Sequence, residues 1–421
     1  MSDKTVNNIG NKISNKPWFK YPKFTWQKKH AVVIGGGIAG CQSAWHLLQT
    51  GWHVTLIERH DKLATEASGN VAGAILPKMT ALESLGEDFY TQAFNYTLKQ
   101  LTLLDATQKN IHHDLCGVLQ LAHNLREEKR WKALQQRGFS PDFLQCLDEN
   151  ETLLQSGIHT PYKSTFFPQG GWISPASFCQ ALIDHPHCEI LLRSDALTLK
   201  QNQQQWQVLG KRKHVLAQAE VIIISSGKDL QQLVPELPIM PVLGQTTAAC
   251  ATINSKKLKT VIGHEGYLTP AIDGQHIFGA TFERHQHQAI INPIADTINQ
   301  QQLHKYLPDF SDTLGAIKSS HAAIRMTTPD RFPYAGALID IQRFQIDYAD
   351  IHQGKHWKQY PDASYQNGLF VLAGLGSRGL TTAGYCSALL VEIINGKQPK
   401  NKISQALHAG RFMIKRLKNN H

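Results

Sequence analysis

Short apolar runs alternate along this chain with longer segments whose apolar residues recur at helical spacing. Ala31–Ile34 is too brief for a helix and closes on glycines, which predicts a buried parallel strand. Ile38–Thr50 carries Ala44, Leu47 and Leu48 on one helical face, and Gly51 stands where a C′ glycine ends a helix. Val54–Ile57 reads as a second strand with Glu58 at its end. Phe89–Leu104 has helical period, and HHDLCGVLQLAHN reads as a turn entering a strand. LREEKRWKALQQRG predicts a charged helix with a solvated face, ended by Gly138. In FFPQGGWISPASFCQALI, Pro175 suits a first helical turn and Ser174 its cap. Ala219–Ile224 is another apolar strand.

Residues 240–325 have a different texture. Strand-like pieces such as TTAACATI, YLTPAI and HIFGATF surround a helical stretch near residues 296–306, which predicts an antiparallel sheet. Asn367–Ala373 then gives a turn and an apolar strand, followed at once by GLGSRGLTTAGYCSALLVEIING, a glycine turn feeding an apolar helix. The pattern predicts an α/β fold: a Rossmann-like cofactor domain with a second α+β substrate domain built on an antiparallel sheet. The expected division is a flexible basic tail over 1–28, and a discontinuous cofactor domain over 29–105, 160–239 and 325–410. The substrate domain would take 106–159 and 240–324, and a basic C-terminal tail 411–421.

A length of 421 residues agrees with two domains, since single cores stop growing at about 250–300 residues. No apolar run approaches the roughly 18 residues that span a bilayer, and the N-terminus lacks the apolar stretch of a secretion signal. A cytoplasmic protein is expected. Seven cysteines without a C-x-x-C pair predict reduced thiols, and no spacing of His, Cys or acidic residues predicts a metal site. Charge changes the picture more. With 43 Lys and Arg against 33 Asp and Glu, the net charge of +10 favours a polyanionic partner. No sequence-reading nucleic-acid motif stands out, so a nucleic acid would sit on a basic surface.

Gly35, Gly37 and Gly40 fill the G-x-G-x-x-G pattern, with Ile38 and Ala39 between them opening the helix. The first glycine permits the turn, the second admits a pyrophosphate against bare backbone, and the third lets helix and strand approach. Glu58 lies near the spacing at which a carboxylate meets a ribose hydroxyl, with Arg59 beside it. This predicts a dinucleotide without separating NAD from FAD. Ser68, Gly69, Asn70, Gly73 and Ala74 leave room for a flat ligand, or form an ordinary surface loop. Ser226 and Gly227 follow a buried strand and suit a further contact with the same dinucleotide. The second turn, Gly374, Gly376, Ser377, Arg378, Gly379 and Leu380, again points a helix N-terminus at a site for negative charge, such as a reduced isoalloxazine. Two such turns far apart in the chain fit a long, non-covalently held FAD better than NAD.

From residue 29 to about 410 the chain resembles the glycine oxidase and D-amino-acid oxidase family of flavoproteins, with GGGIAG and Glu58 at one end and GLGSRGL near the other. Within that family, ASGNVAGAILP, HHDLCGVLQLA, GGWISPA, GYLTPA, FGATFERH, IRMTTPDRFPYAG and LGSRGL resemble the oxidoreductase half of the bifunctional enzymes that make 5-methylaminomethyl-2-thiouridine at the tRNA wobble position. The resemblance implies FAD-dependent oxidative removal of the carboxymethyl group from 5-carboxymethylaminomethyl-(2-thio)uridine, with tRNA as substrate. KPWFKYPKF resembles the junction between the two halves of those enzymes, so a standalone oxidase is expected, for which methylation would need a separate methyltransferase or would not occur.

The resemblance assigns Arg325 to the substrate carboxylate, a role suited to a planar bidentate donor; a structural salt bridge with Asp330 is the alternative. Arg378 is expected beside the flavin edge, touching cofactor or substrate, or else as a solvent-facing turn residue. Tyr267 lines the pocket or sits in the core. Hydride loss from a neutral amine demands no dedicated base, so His264 and His321 are weak candidates. Two other readings share much of this pattern: an oxidase of a free small amino acid such as glycine or sarcosine, and a flavin-containing scaffold. The second would be expected to lack a pocket arginine.

Overall fold

The computed structural model describes residues 16–355, 357–399 and 401–419. Residues 1–15 of the expected N-terminal tail lie outside them. The rest of that stretch is not a free tail, because its aromatic residues have apolar surface to cover. Trp18 makes edge contacts with Tyr348 and Tyr360, Tyr21 and Phe24 are buried, and Trp26 Nε1 donates to the Ile394 carbonyl at 2.8 Å. The expected C-terminal tail is likewise ordered over Arg411–Lys418, a helix that buries Arg411 and Ile414.

Six strands form the sheet that carries the glycine turns. Their order is Tyr334–Ile339, Tyr365–Ala373, Val221–Ile224, His30–Ile34, His53–Ile57 and Cys188–Leu191. All pairings are parallel except the one between Tyr334–Ile339 and Tyr365–Ala373. The central register sets Val33 against Leu56 on one side and Ile223 on the other. A parallel sheet is covered on both faces, which is why these runs are apolar throughout instead of alternating. One face packs against the helices Ile38–Gln49, Leu85–Ala106, Pro175–Ile183 and Gly379–Ile394. The other buries Val32, Ile222 and Ile224 with Leu230, Val234 and Ile324.

The second large sheet has nine strands. Towards one edge of it Met240–Cys250 pairs antiparallel with both Gln275–Gly279 and Ile317–Thr327. One pairing departs from the expected antiparallel pattern: Val118–Leu121 runs parallel to Val261–Gly263. Ser164–Phe167 joins this sheet through Val118–Leu121, although it falls inside a segment expected in the cofactor domain. Ile317–Thr327 links the two sheets, since Ile324 and Met326 pack under the six-stranded sheet while Thr327 bridges to Leu375 in the second glycine turn.

Local detail follows the chain chemistry with two exceptions. Ser174 occupies the N-cap of Pro175–Ile183, yet its side chain makes no cap bond; Ser177 Oγ donates to its carbonyl at 3.1 Å instead. The charged helix Leu125–Arg137 ends at left-handed Gly138 as its sequence predicts, but Arg137 turns inward to pair with Glu87. Among the described residues no helix is long and apolar enough to cross a membrane.

Candidate functional site

The carboxyl ends of the parallel strands open into a cavity of about 600 Å³ whose far wall is the second sheet. Ligands of open α/β sheets settle in this crevice. Gly35 turns the chain out of the first strand at φ +108, where a side chain would collide with the Ser225 backbone. Its N–H donates to the Ile57 carbonyl at 2.8 Å. A Cβ on Gly40 would overlap the Gly35 carbonyl, so Gly40 sets how closely helix and turn approach. Ile38 N–H donates to Ser68 Oγ at 3.0 Å, which ties the loop of small residues onto the helix start.

Glu58 lines the cavity with its carboxylate fixed by two backbone donors, Gly36 N–H at 2.7 Å and His60 N–H at 2.9 Å. Next to it Arg59 bridges Glu66 and Asp229, and Lys228 and His60 also reach Glu66. Burial pushes the Glu66 carboxyl up, but Arg59, His60 and Lys228 outweigh it and hold the group below its ordinary value. At Asp229 burial prevails over Arg59, and its pKa is raised. The hydroxyls of Ser225 and Ser226 are buried at the cavity wall with no hydrogen-bond partner among the described residues.

On the opposite wall Arg325 projects from Ile317–Thr327 and is paired in register with Val242. Its guanidinium has no ion pair or hydrogen bond among the described residues. Burial lowers its pKa, and the neighbouring Tyr267 acts in the other direction. Asp330, the sequence alternative for its partner, is held instead by Arg411, with Nε at 2.8 Å and Nη2 at 3.0 Å. Tyr267 donates its hydroxyl to the Ala72 carbonyl at 2.8 Å, and burial pushes its pKa up to about 12. Arg378 reaches in from the second turn, its guanidinium 5.4 Å from the Tyr90 ring and its Nη1 at 3.5 Å from the Leu76 carbonyl. It is half-buried at the cavity wall, and desolvation lowers its pKa.

A model of the FAD dependent oxidoreductase family matches residues 30–393. The chain belongs to that family. It is 34% identical over 419 residues to the tRNA 5-methylaminomethyl-2-thiouridine biosynthesis bifunctional protein of Pseudomonas putida, an overlap of 95% of this chain and 62% of that protein. The protein of the same description from Ectopseudomonas mendocina is 34% identical over 414 residues, with the same two coverages of 95% and 62%. The chain therefore spans less than two thirds of these curated relatives. Among solved structures, glycine oxidase from Bacillus cereus superposes with a TM-score of 0.71 at 18% identity, covering 91% of this chain and 98% of that one. L-alpha-glycerophosphate oxidase from Mycoplasma pneumoniae, with FAD bound, gives 0.67 at 20% identity, covering 89% and 96%. At such identities the structural likeness is one of fold.

The cavity of this FAD-dependent oxidoreductase fits the cofactor of its family. It offers a bare glycine turn under a helix start, two orphaned serine hydroxyls and a second glycine turn, Gly374 at φ +75, all on one continuous space. Gly35, Gly37, Ile38, Ala39, Glu58 and Arg59 line it, as do Ser68, Asn70, Gly73, Ala74, Ser226 and Gly227. So do Gly374, Gly376, Ser377, Arg378, Gly379 and Leu380, together with Arg325 and Tyr267. Two expected cofactor residues do not: Gly40 faces the Gly35 carbonyl, and Gly69 packs against His321 and the Thr65 carbonyl. Sequence reasoning missed Glu66, Lys228 and Asp229, whose only signal was their position next to the small-residue turns, and the exposed cavity-lining Phe282.

Proposed function

We propose that the protein removes the carboxymethyl group from 5-carboxymethylaminomethyl-(2-thio)uridine at the tRNA wobble position, yielding 5-aminomethyl-(2-thio)uridine and glyoxylate. The observation that carries this reading is Arg325, a largely desolvated, half-buried guanidinium without a protein carboxylate among the described residues, opening onto the cavity that the two glycine turns share. A buried cation lacking a partner is costly, which favours a substrate that brings its own carboxylate. The description of the 34% identical relatives supports tRNA as the carrier of that group. The carboxymethylamino substituent is an N-substituted glycine, so a pocket of glycine-oxidase type suits it.

FAD, when bound, supplies the two-electron acceptor for the C–H bond beside the amine. Gly35, Gly37, Ile38 and Ala39 would face its pyrophosphate, Glu58 and Arg59 its ribose and adenine end, and Ser226 and Gly227 the chain between. Ser68, Asn70, Gly73 and Ala74 would leave space for the flat ring, and the turn from Gly374 to Leu380 would meet its edge. Arg325 holds the substrate carboxylate, with Tyr267 and Arg378 flanking the reacting carbon. Oxidation of the glycyl methylene gives a substrate imine, which water cleaves to glyoxylate and the aminomethyl base. The amine reacts neutral and needs no protein base; His264, a cavity-lining residue whose pKa burial lowers to about 4, stays uncharged. The reaction belongs in the cytoplasm.

Incubation of the yellow protein with tRNA bearing the carboxymethylaminomethyl group, followed by nucleoside mass analysis, tests the reading. Loss of the carboxymethyl mass with stoichiometric glyoxylate is expected. Turnover of free glycine or sarcosine with the tRNA unchanged would replace it by a small-molecule oxidase.

A further inference from the structure

Beside the cavity, Tyr90 gathers a group of cations of which the chemistry above uses only Arg378. Lys78 Nζ lies 5.3 Å from the Tyr90 ring centroid, Arg378 stands 5.4 Å from the same ring, and the Tyr90 hydroxyl donates to the Arg331 carbonyl at 3.2 Å. Burial lowers the Lys78 pKa, and the charges of Arg378, Arg331, Arg130 and Arg126 lower it further. Arg130 is ion-paired with Glu127. The side chains of Lys78, Arg126 and Arg331 have no carboxylate or hydrogen-bond partner among the described residues. The acids around them are committed elsewhere, Glu87 to Arg137 and Asp330 to Arg411.

Converging cations without counter-ions repel one another, and a fold that keeps them together gains when an anion enters. The group also has direction. Arg378 lines the cavity, Lys78 is half-buried behind Tyr90, and Arg126 and Arg331 are exposed. The group thus passes from the cavity lining to the surface, and its three cations without counter-ions are more than one phosphate needs and suit a strand of them. We propose that Lys78, Arg126 and Arg331 bind the phosphodiester backbone of an RNA strand next to the nucleotide whose modified base enters the cavity. The inference rests on the tRNA reading for the identity of that nucleotide.

The test uses the FAD-loaded protein and an unmodified anticodon stem–loop RNA, whose binding does not depend on turnover. Lys78→Gln, Arg126→Gln and Arg331→Gln are combined, and Arg378 is left intact. Each phosphate contact with a single strand contributes about 0.7 to the slope of log affinity against log salt. The triple variant should therefore lose about 2 from that slope and bind about 100-fold more weakly near 0.1 M salt. The single exposed Arg331→Gln should lose about 0.7 and about 5-fold, which keeps the test open if the triple variant fails to hold flavin. Unchanged affinity and slope in a yellow variant overturn the inference, as does a wild-type protein that binds no RNA. Inorganic phosphate bound at the cluster without competing with RNA also overturns it. If the variants weaken RNA binding as expected while wild-type protein leaves modified tRNA unoxidised, the proposed reaction falls and the RNA-binding row stands.

Discussion

Gly244 leaves open the space that the Arg325 guanidinium fills: a Cβ built on Gly244 would overlap Arg325 Nη2. The two residues lie on paired strands, Met240–Cys250 and Ile317–Thr327, so the backbone fixes their relation. Gly244→Ala should displace the guanidinium without touching the cofactor turns. Misplacement of a positioning group by about 1 Å costs about 100-fold in rate. Steady-state kinetics should show a loss of that order in kcat/KM, with flavin absorbance per protein unchanged.

Replacing Arg325 itself separates charge from shape. Arg325→Lys keeps a cation but loses the planar fork, while Arg325→Gln loses both. Removing one partner of a buried charge pair costs about 2–5 kcal/mol, or roughly 30-fold to several thousand-fold. Arg325→Gln should fall in that range, chiefly through KM, with Arg325→Lys between it and wild type. A wild-type KM in both variants would take the carboxylate away from Arg325.

The cofactor half of the cavity was legible in the sequence because local rules suffice there. A strand, a glycine turn and a helix start are contiguous in Ala31–Ile38, and their geometry follows from chirality and helix termini. The opposite wall was legible mainly through resemblance. What makes Arg325 available is non-local: Arg411, distant in the chain, takes Asp330, and Gly244 on a neighbouring strand makes room. Neither relation has a spacing signature. The parallel pairing of Val118–Leu121 with Val261–Gly263 was hidden for the same reason, since strand runs do not reveal their partners. The tails misled because basic composition hid aromatic and apolar residues with surface to bury, such as Tyr21, Phe24 and Ile414.

Gly40 offers a test of the first turn that leaves every cavity-lining residue unsubstituted. Its added methyl would meet the Gly35 carbonyl and force helix and turn apart. Overpacking of this kind costs about 1–3 kcal/mol. Gly40→Ala should purify with most of its flavin missing, and titration with FAD should show affinity weaker by about 10-fold or more, in line with that strain. Full flavin content and wild-type affinity would mean that the helix moves without carrying the turn with it.

The Arg411–Asp330 pair makes a stability prediction with a definite pH sign. Burial raises the Asp330 pKa, but the hydrogen bonds and charge of Arg411, with Phe332 N–H and Thr328 Oγ1, outweigh it and leave the carboxyl below its ordinary 3.8. A depressed folded-state pKa stabilises the fold above the unfolded value, and the contribution is lost as pH falls through the folded one. The Asp330 side chain is 37% exposed, so solvent screening limits the pair to about 1 kcal/mol. Arg411 itself is buried against Tyr334 and Phe412, at 4.3 and 4.6 Å from their rings, and also donates to the Phe332 carbonyl at 2.6 Å. It therefore stays in place when its partner changes. Asp330→Asn should lower the melting temperature of the FAD-loaded protein by about 2 °C at neutral pH. The gap should hold at pH 5 and close as the wild-type carboxyl protonates below 3.8. A difference that persists undiminished to pH 3 would assign the loss to packing in the turn from Thr328 to Phe332 and not to the ion pair.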